Sequence, residues 1–374
     1  MKLPLQGPER RREKIGLVLL IVGNAVGGLL LLVMLGGAFF QKGACSAMCF
    51  GALFAFPAAA VYLTVPRLLD RYDPEPWYAL IGCLLWGAIA CAGFSLLGNE
   101  TFKAIAVRSL GEAQADAATA VIAAPVVEEF FKGLGLFGVF YFLRREFDGI
   151  VDGIIYGTFI ALGFAATENV LYYGRAAMDG MFGGVFIARG IFLPWGHPVY
   201  TAMTGIGFGL AREALSPTVR AFAAPLGFVF AVVLHAMWNG SATFAESMGV
   251  SFFLCSLLLW FVFVGAFVIM VIMLVRRRGR VIRAHLTDEV AMGNLSPAEL
   301  ELVCDAFGVT KARARHGRLG VEFVRAAARL ALSKWHFARS QKTNTRTVSA
   351  DFIVPLRNRL RELRHAYMQG QQPR

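Results

Sequence analysis

Eight stretches of this chain stay apolar for about 20 residues or more, the length that carries a helix across the hydrocarbon core of a bilayer. They run over 16–40, 45–65, 77–98, 116–143, 150–173, 183–211, 220–243 and 250–275. In lipid every backbone N–H and C=O must be bonded within the chain, so such runs are helices. The pattern predicts an all-α, polytopic membrane helix bundle of about eight transmembrane helices. The first run follows Arg10, Arg11, Arg12 and Lys14, as a signal peptide would. It is too long for one and has no clear small-residue cleavage site, so it reads as an uncleaved first helix.

Charge divides the chain in two. Only 17% of its 374 residues are charged and 57% are apolar, whereas soluble proteins carry about 25% charge. Residues 1–275 hold 17 basic and 17 acidic side chains, while 276–374 hold 20 basic and 8 acidic ones. We therefore expect a transmembrane domain over 1–275, with a core over 50–245, and a basic cytoplasmic helical tail over 276–374. In the tail, "NLSPAELELVCDAFG" has a helix entry at Ser296 and Pro297 and a stop near Gly308, and further helices are expected near 319–337 and 350–367. The tail's charge would suit nucleic acid, but attraction to anionic lipid on the cytoplasmic leaflet, or plain solvation, explains it without one. No nucleic-acid partner is expected. Of the six cysteines, all but Cys304 lie in or beside apolar runs and none forms a CxxC pair, so no disulfide framework is expected.

Basic residues in short loops set orientation. With the N-terminus in the cytoplasm, inside segments hold Lys2, Arg10, Arg11, Arg12, Lys14, Arg67, Arg71, Arg144, Arg145, Arg212 and Arg220. Outside segments hold Lys42, Lys103, Arg108 and Arg175. Eight spans return the chain to the cytoplasm beside Arg276, Arg277, Arg278 and Arg280, so both termini are expected there.

Ionisable groups at membrane depth are costly and by default mark function. The fourth run, "AAPVVEEFFKGLGLF", carries Glu128, Glu129 and Lys132 after Pro125. Glu128 and Lys132 share a face at i, i+4, and Glu129 points about 100° away. The fifth carries Asp152, Tyr156, Glu168, Asn169 and Tyr172, with Gly149, Gly153, Gly157 and Gly163 as a close-packing face. Asp152 and Tyr156 lie near the cytoplasmic end and read as structural. The sixth holds Arg189 and His197, the latter between Pro194 and Pro198; the seventh holds His235 and Asn239 at i, i+4. Counting helical rise, Glu128 lies roughly 15 Å from the outer face, Glu168 roughly 9 Å, His197 roughly 20 Å and His235 roughly 9 to 12 Å.

Glutamate beside histidine in a low-dielectric site suits water activation, and a histidine with an asparagine suits an oxyanion. The same groups could ligate a metal: His197, His235 and one or two glutamates make a three- or four-ligand N/O set. Neither HExxH nor GxSxG is present. Zn2+, another divalent metal, or no cofactor all fit at this point. The bland reading is an interhelical network of Glu128 and Glu129 with Lys132 and Arg189, but so much buried charge over several helices is hard to justify structurally.

Four blocks in order resemble the PrsW-type intramembrane proteases, related to the CAAX prenyl-protease/bacteriocin-immunity (Abi) group. They are "PVVEEFFK" at 125–132, "DGIIYGTFIALGFAATENVLYY" at 152–173, the Arg189-to-His197 stretch ending "GHPVYTAMTG", and "HAMWNG" at 235–240. The loop "LDRYDPEPW" at 69–77 is also similar, and the resemblance covers about residues 50–245. It implies Glu128 and Glu129 as the acidic centre, one of them activating water, and His197 and His235 as catalytic or metal-binding imidazoles. Glu168, Asn169 and Asn239 would support them, beside Lys132 and Arg189. In a metalloenzyme the ligands would be Glu128, His197 and His235. The resemblance further implies regulated proteolysis of a single-pass membrane protein, such as an anti-sigma factor, cut near its extracytoplasmic side. The alternatives are a proton-coupled transporter or channel using the same charges, which should show internal repeats but has none here, and a non-catalytic scaffold.

Overall fold

The computed structural model describes residues 7–39, 43–70, 72–305, 307–342 and 349–369. Lys2, Lys42 and Arg71, which enter the orientation count, lie outside the described residues. The described residues fall into two compact units, 7–69 with 75–268, and 70–74 with 269–369.

The first unit follows the apolar runs. Helix α1 is Gly7–Phe39, α2 is Ala44–Tyr62, and α3 (Thr64–Leu69) extends the second run. Helices α4 (Trp77–Leu85) and α5 (Ala92–Leu110) are joined through a π-helical turn at Trp86–Cys91. A second π turn, Thr119–Ala123, joins α6 (Glu112–Ala118) to α7 (Ala124–Phe142). Then come α8 (Ile150–Met178), α9 (Phe182–Phe186) with a π turn over Ile187–Phe192, α10 (Gly196–Glu213), α11 (Pro217–Thr243), α12 (Ala245–Met248) and α13 (Val250–Ala291). Among the described residues no strand is present. Among the described residues, six helical stretches are long and apolar enough to cross a membrane: Glu9–Gly36, Ala44–Leu69, Trp77–Leu110, Ile150–Met178, Pro217–Thr243 and Val250–Ala291. The two expected runs outside this set, 116–143 and 183–211, are those bearing Glu128, Glu129, Lys132, Arg189 and His197.

The 183–211 run is not one helix, and here the sequence reading needs correction. The chain leaves helical geometry at Leu193 (φ −125, ψ 31) and re-enters it at Gly196. Pro194 disfavours the helical conformation in the residue before it. Pro198 falls in the first turn of α10, where its missing N–H costs nothing. A straight helix from 183 would sink His197 deeper than Glu168; the break removes that requirement.

Helix α8 is the hub. Its most apolar stretch is 94% buried within the protein, against 6% for α1 and α13, whose side chains are left for lipid. It packs on α2, α4 and α10, and the expected glycine face explains how. A methyl on Gly153 would lie 2.1 Å from the Gly205 carbonyl oxygen of α10, and one on Gly163 would lie 2.2 Å from the Leu84 carbonyl oxygen of α4. Backbones meet at these points, as small residues allow in membranes. At the start of α8 the Asp152 carboxylate accepts the N–H groups of Asp148 and Gly149, each at 3.0 Å. The Tyr156 hydroxyl donates to the buried Glu75. Both residues therefore do the structural work expected of them.

The second unit holds the end of α13, α14 (Pro297–Cys304), α15 (Gly308–Lys342) and α16 (Ala350–Met368). Ser296 caps α14, accepting from the Glu299 N–H at 3.2 Å while the Glu299 carboxylate takes the Ser296 N–H at 2.6 Å. Helix α15 is interrupted at His316 and Gly317, where Gly317 takes φ 57. Buried Glu289 gathers Arg357 at 2.7 Å, Lys334 at 3.1 Å and Asn294 at 2.6 Å.

Candidate active site

Within the first unit the charged side chains of α7, α8, α10 and α11 converge, joined by Arg189 from the π turn after α9. Lys132 is the centre. Sitting i+3 from Glu129 and i+4 from Glu128, its ammonium lies between the two acids rather than serving one. It donates to Glu129 Oε1 at 2.9 Å and lies 3.5 Å from Glu128 Oε2. Across the helix interface it meets His197 Nδ1 at 3.1 Å, and it lies 4.1 Å from the centre of the Phe164 ring.

His197 continues the chain of bonds. Its Nε2 is 3.0 Å from Glu168 Oε2, and Glu168 is also paired with Arg189. Arg189 Nε donates to Asn169 Oδ1 at 2.9 Å, and its guanidinium stacks 3.8 Å from the Tyr172 ring centre. On the other side, Glu129 Oε2 accepts the Thr201 hydroxyl at 2.9 Å, and Glu129 Oε1 faces His235 Nδ1 at 3.2 Å. His235 Nε2 is 3.9 Å from Glu128 Oε2, and the two imidazoles pack edge to face at 5.0 Å.

Proton bookkeeping follows from donor types. An ammonium only donates, so His197 Nδ1 must accept from Lys132 and Nε2 must carry the proton that goes to Glu168. An ionised carboxylate only accepts, so His235 Nδ1 carries its proton toward Glu129, leaving the lone pair on Nε2 toward Glu128. Both oxygens of Glu129 are then engaged. Glu128 differs: among the described residues its carboxylate has one hydrogen-bond contact, the long one to Lys132. Side-chain exposure falls steadily from Arg189 (29%) and Glu168 (21%) through His197 (14%) and Glu128 (7%) to Glu129 and Lys132 (0%). The network is therefore most exposed at its Arg189 end.

The sequence-derived residues are thus brought together with one exception. Asn239 lies one turn from His235, but its amide nitrogen donates to the Ala120 carbonyl at 2.8 Å, within the π turn of 119–123. Sequence reading passed over Thr201, Tyr200 and Phe164. The first two stand four and three residues after His197 on α10, a spacing that could have flagged them. Tyr200 stacks on His235 with ring centres 5.0 Å apart.

Glu128, His197 and His235 each offer a ligand atom, all within 4.8 Å of one another. Donor type and number suit a divalent metal. The lysine does not. Its buried ammonium stands among those atoms, already bonded to His197 Nδ1, while the other ring nitrogen serves Glu168. A dication would have to displace a cation and compete with it for the one lone pair of His197, which Lys132 already engages. As arranged, the residues do not fit a metal.

Residues 75–280 match the family model of the PrsW family intramembrane metalloproteases, a span that contains every residue of the network. The chain is 28% identical to Protease PrsW of Geobacillus kaustophilus over 195 residues, covering 52% of this chain and 80% of that protein. It is 36% identical to Protease PrsW of Clostridioides difficile over 106 residues (28% of this chain, 43% of that protein). It is 30% identical to Protease PrsW of Oceanobacillus iheyensis over 114 residues (30% and 49%). No solved structure matches the chain. With more than half its length matched, and a buried acid–imidazole centre inside the matched part, the chain belongs to the PrsW family of intramembrane proteases.

Proposed function

We propose that this protein is an intramembrane endopeptidase in which Glu128 activates a water molecule to cleave a single-pass membrane protein near its extracytoplasmic side. The single observation that carries this assignment is the asymmetry of the acid pair. Glu129 is saturated by Lys132, His235 and Thr201, whereas Glu128 keeps an unfilled carboxylate facing the lone pair of His235 Nε2 at 3.9 Å. A water between these two acceptors would donate one proton to each, leaving an oxygen lone pair for the substrate.

The steps balance with these groups alone. Glu128 takes a proton from the water as its oxygen bonds to the scissile carbonyl carbon. It then returns that proton to the departing nitrogen as the C–N bond breaks. His235 positions the water and is held in its tautomer by Glu129. His197, braced by Glu168 and Arg189, fixes Lys132 and so keeps the acid pair in register. No step passes through a metal. Eight crossings of a cell membrane with both termini in the cytoplasm would put the more exposed, Arg189 end of the network toward the outer side.

The test is cleavage of a tagged single-span reporter by purified protein in liposomes. Glu128→Gln should abolish it while leaving the protein folded. Full activity in that variant would overturn the role given to Glu128.

A further inference from the structure

The water-activating half of the site is equipped, but the other requirement of peptide hydrolysis is not yet met. The tetrahedral intermediate needs donors aimed at its oxyanion. In the network the proton of Thr201, the N–H of each imidazole and the ammonium of Lys132 are all committed to partners. One buried donor beside both imidazoles is not. The Tyr200 side chain is 1% exposed, and its hydroxyl finds no hydrogen-bond partner among the described residues. A buried polar group left this way costs stability, and in a native protein it calls for an explanation.

Its surroundings supply one. The ring lies nearly parallel to His235, at 18° and 5.0 Å, and edge-on to His197 at 6.1 Å. Trp260 closes its flank at 5.3 Å. These contacts fix the ring and leave the hydroxyl no freedom to seek another partner. The hydroxyl lies beside Gly196, where even a methyl would come no nearer than 3.4 Å. It thus sits at the first turn of α10, whose positive dipole end favours a negative charge. Tyr173 and Thr204 also carry unpartnered buried hydroxyls. Tyr173 packs on Phe182 and Phe186, and Thr204 faces Gly133, the residue after Lys132; of the three it is Tyr200 whose ring packs on both imidazoles.

We infer that Tyr200 is a further catalytic residue, its hydroxyl donating to the carbonyl oxygen of the scissile peptide bond as that oxygen gains charge. This rests on the proposed hydrolytic function. It predicts an unusual pair of effects for Tyr200→Phe, which keeps the ring stack and deletes only the hydroxyl. The turnover number falls about 100-fold with KM little changed. Thermal stability holds or rises, because the orphan hydroxyl is gone.

The experiment uses full-length protein in liposomes with the tagged single-span reporter, comparing Tyr200→Phe, Thr204→Val and Glu128→Gln for turnover, KM and thermal unfolding. The expected result is loss of turnover in Tyr200→Phe at undiminished stability, with Thr204→Val as active as the parent. Parental turnover in Tyr200→Phe beside a dead Glu128→Gln would overturn the tyrosine's role and leave the function standing. A rate loss matched by a stability loss would make Tyr200 a packing residue and overturn it equally. Full cleavage by Glu128→Gln would overturn the function and this inference together.

Discussion

Replacing Lys132 with methionine puts the centre of the network to its sharpest test. The ammonium is fully buried and is the shared cation of Glu129 at 2.9 Å and Glu128 at 3.5 Å. Three carboxylates and two cations meet here, so with neutral imidazoles the cluster carries one net negative charge. Lys132→Met doubles that charge in a low-dielectric interior, and removing one partner of a buried pair costs about 3–5 kcal/mol. Glu129→Gln is milder, because Lys132 keeps Glu128; losing a charged hydrogen bond costs about 2 kcal/mol. The double variant removes the Lys132–Glu129 pair whole and restores the parent's net charge, although Glu128 still loses its cation. Its cost should fall short of the sum of the single variants by about 2 kcal/mol. Unfolding in SDS titrations, followed by tryptophan fluorescence, measures all three stabilities in one micellar system. Additivity within about 0.5 kcal/mol would mean that the ammonium does not neutralise Glu129, and the account of the acid pair would fall with it.

Thr201→Val removes the 2.9 Å bond to Glu129 without changing shape. It should cost about 2 kcal/mol and slow cleavage without abolishing it, as read by unfolding and reporter turnover; an unchanged protein would show that Glu129 needs no third partner. Gly205→Val forces α8 and α10 apart by about 1 Å, since the first methyl would stand 2.1 Å from the Gly153 carbonyl oxygen. Displacements of that size in an active site cost about 100-fold in rate, so turnover should collapse; normal turnover would disprove the backbone contact. Stripping divalent metals with chelator should leave cleavage intact, with metal content well below one ion per chain by elemental analysis. Activity lost on chelation and restored by Zn2+ would show that Lys132 can yield its place.

The charged core is legible in the sequence because lipid admits so few explanations for Glu128, Lys132, Glu168 or His235 in apolar runs. The glycine face of α8 is legible for a related reason: only small residues let membrane helices touch backbone to backbone. What escapes depends on partners that no local pattern announces. Thr201 and Tyr200 are ordinary membrane-helix residues until Glu129 and His235 are placed beside them. The spacing of Asn239 from His235 suggests a shared task, yet its amide is claimed by the Ala120 carbonyl. A π turn loosens the regular i→i+4 ladder there and leaves carbonyls seeking donors. The break at Leu193–Trp195 escapes differently. Its prolines are visible, but hydropathy averaged over a whole run conceals a short non-helical link.

Adjacent glutamates on one helix cannot hold identical positions, because neighbours point about 100° apart. A single lysine one turn on reaches both, so the helix alone would leave them equivalent in partner. The difference comes from α10 and α11, which supply Thr201 and His235 Nδ1 to Glu129 and only a bare imidazole lone pair to Glu128. The same bonds pin α10 and α11 to α7. Removing Glu129's role as an anchor would therefore loosen the very helices that make Glu128 reactive. The cluster offsets the cost of buried charge by pairing most of its groups across helix interfaces, and it leaves one acid underserved, held only by the lysine of its own helix. An acid with no missing partner has no proton to fetch from water; the underserved one does, and that shortage is what the chemistry requires.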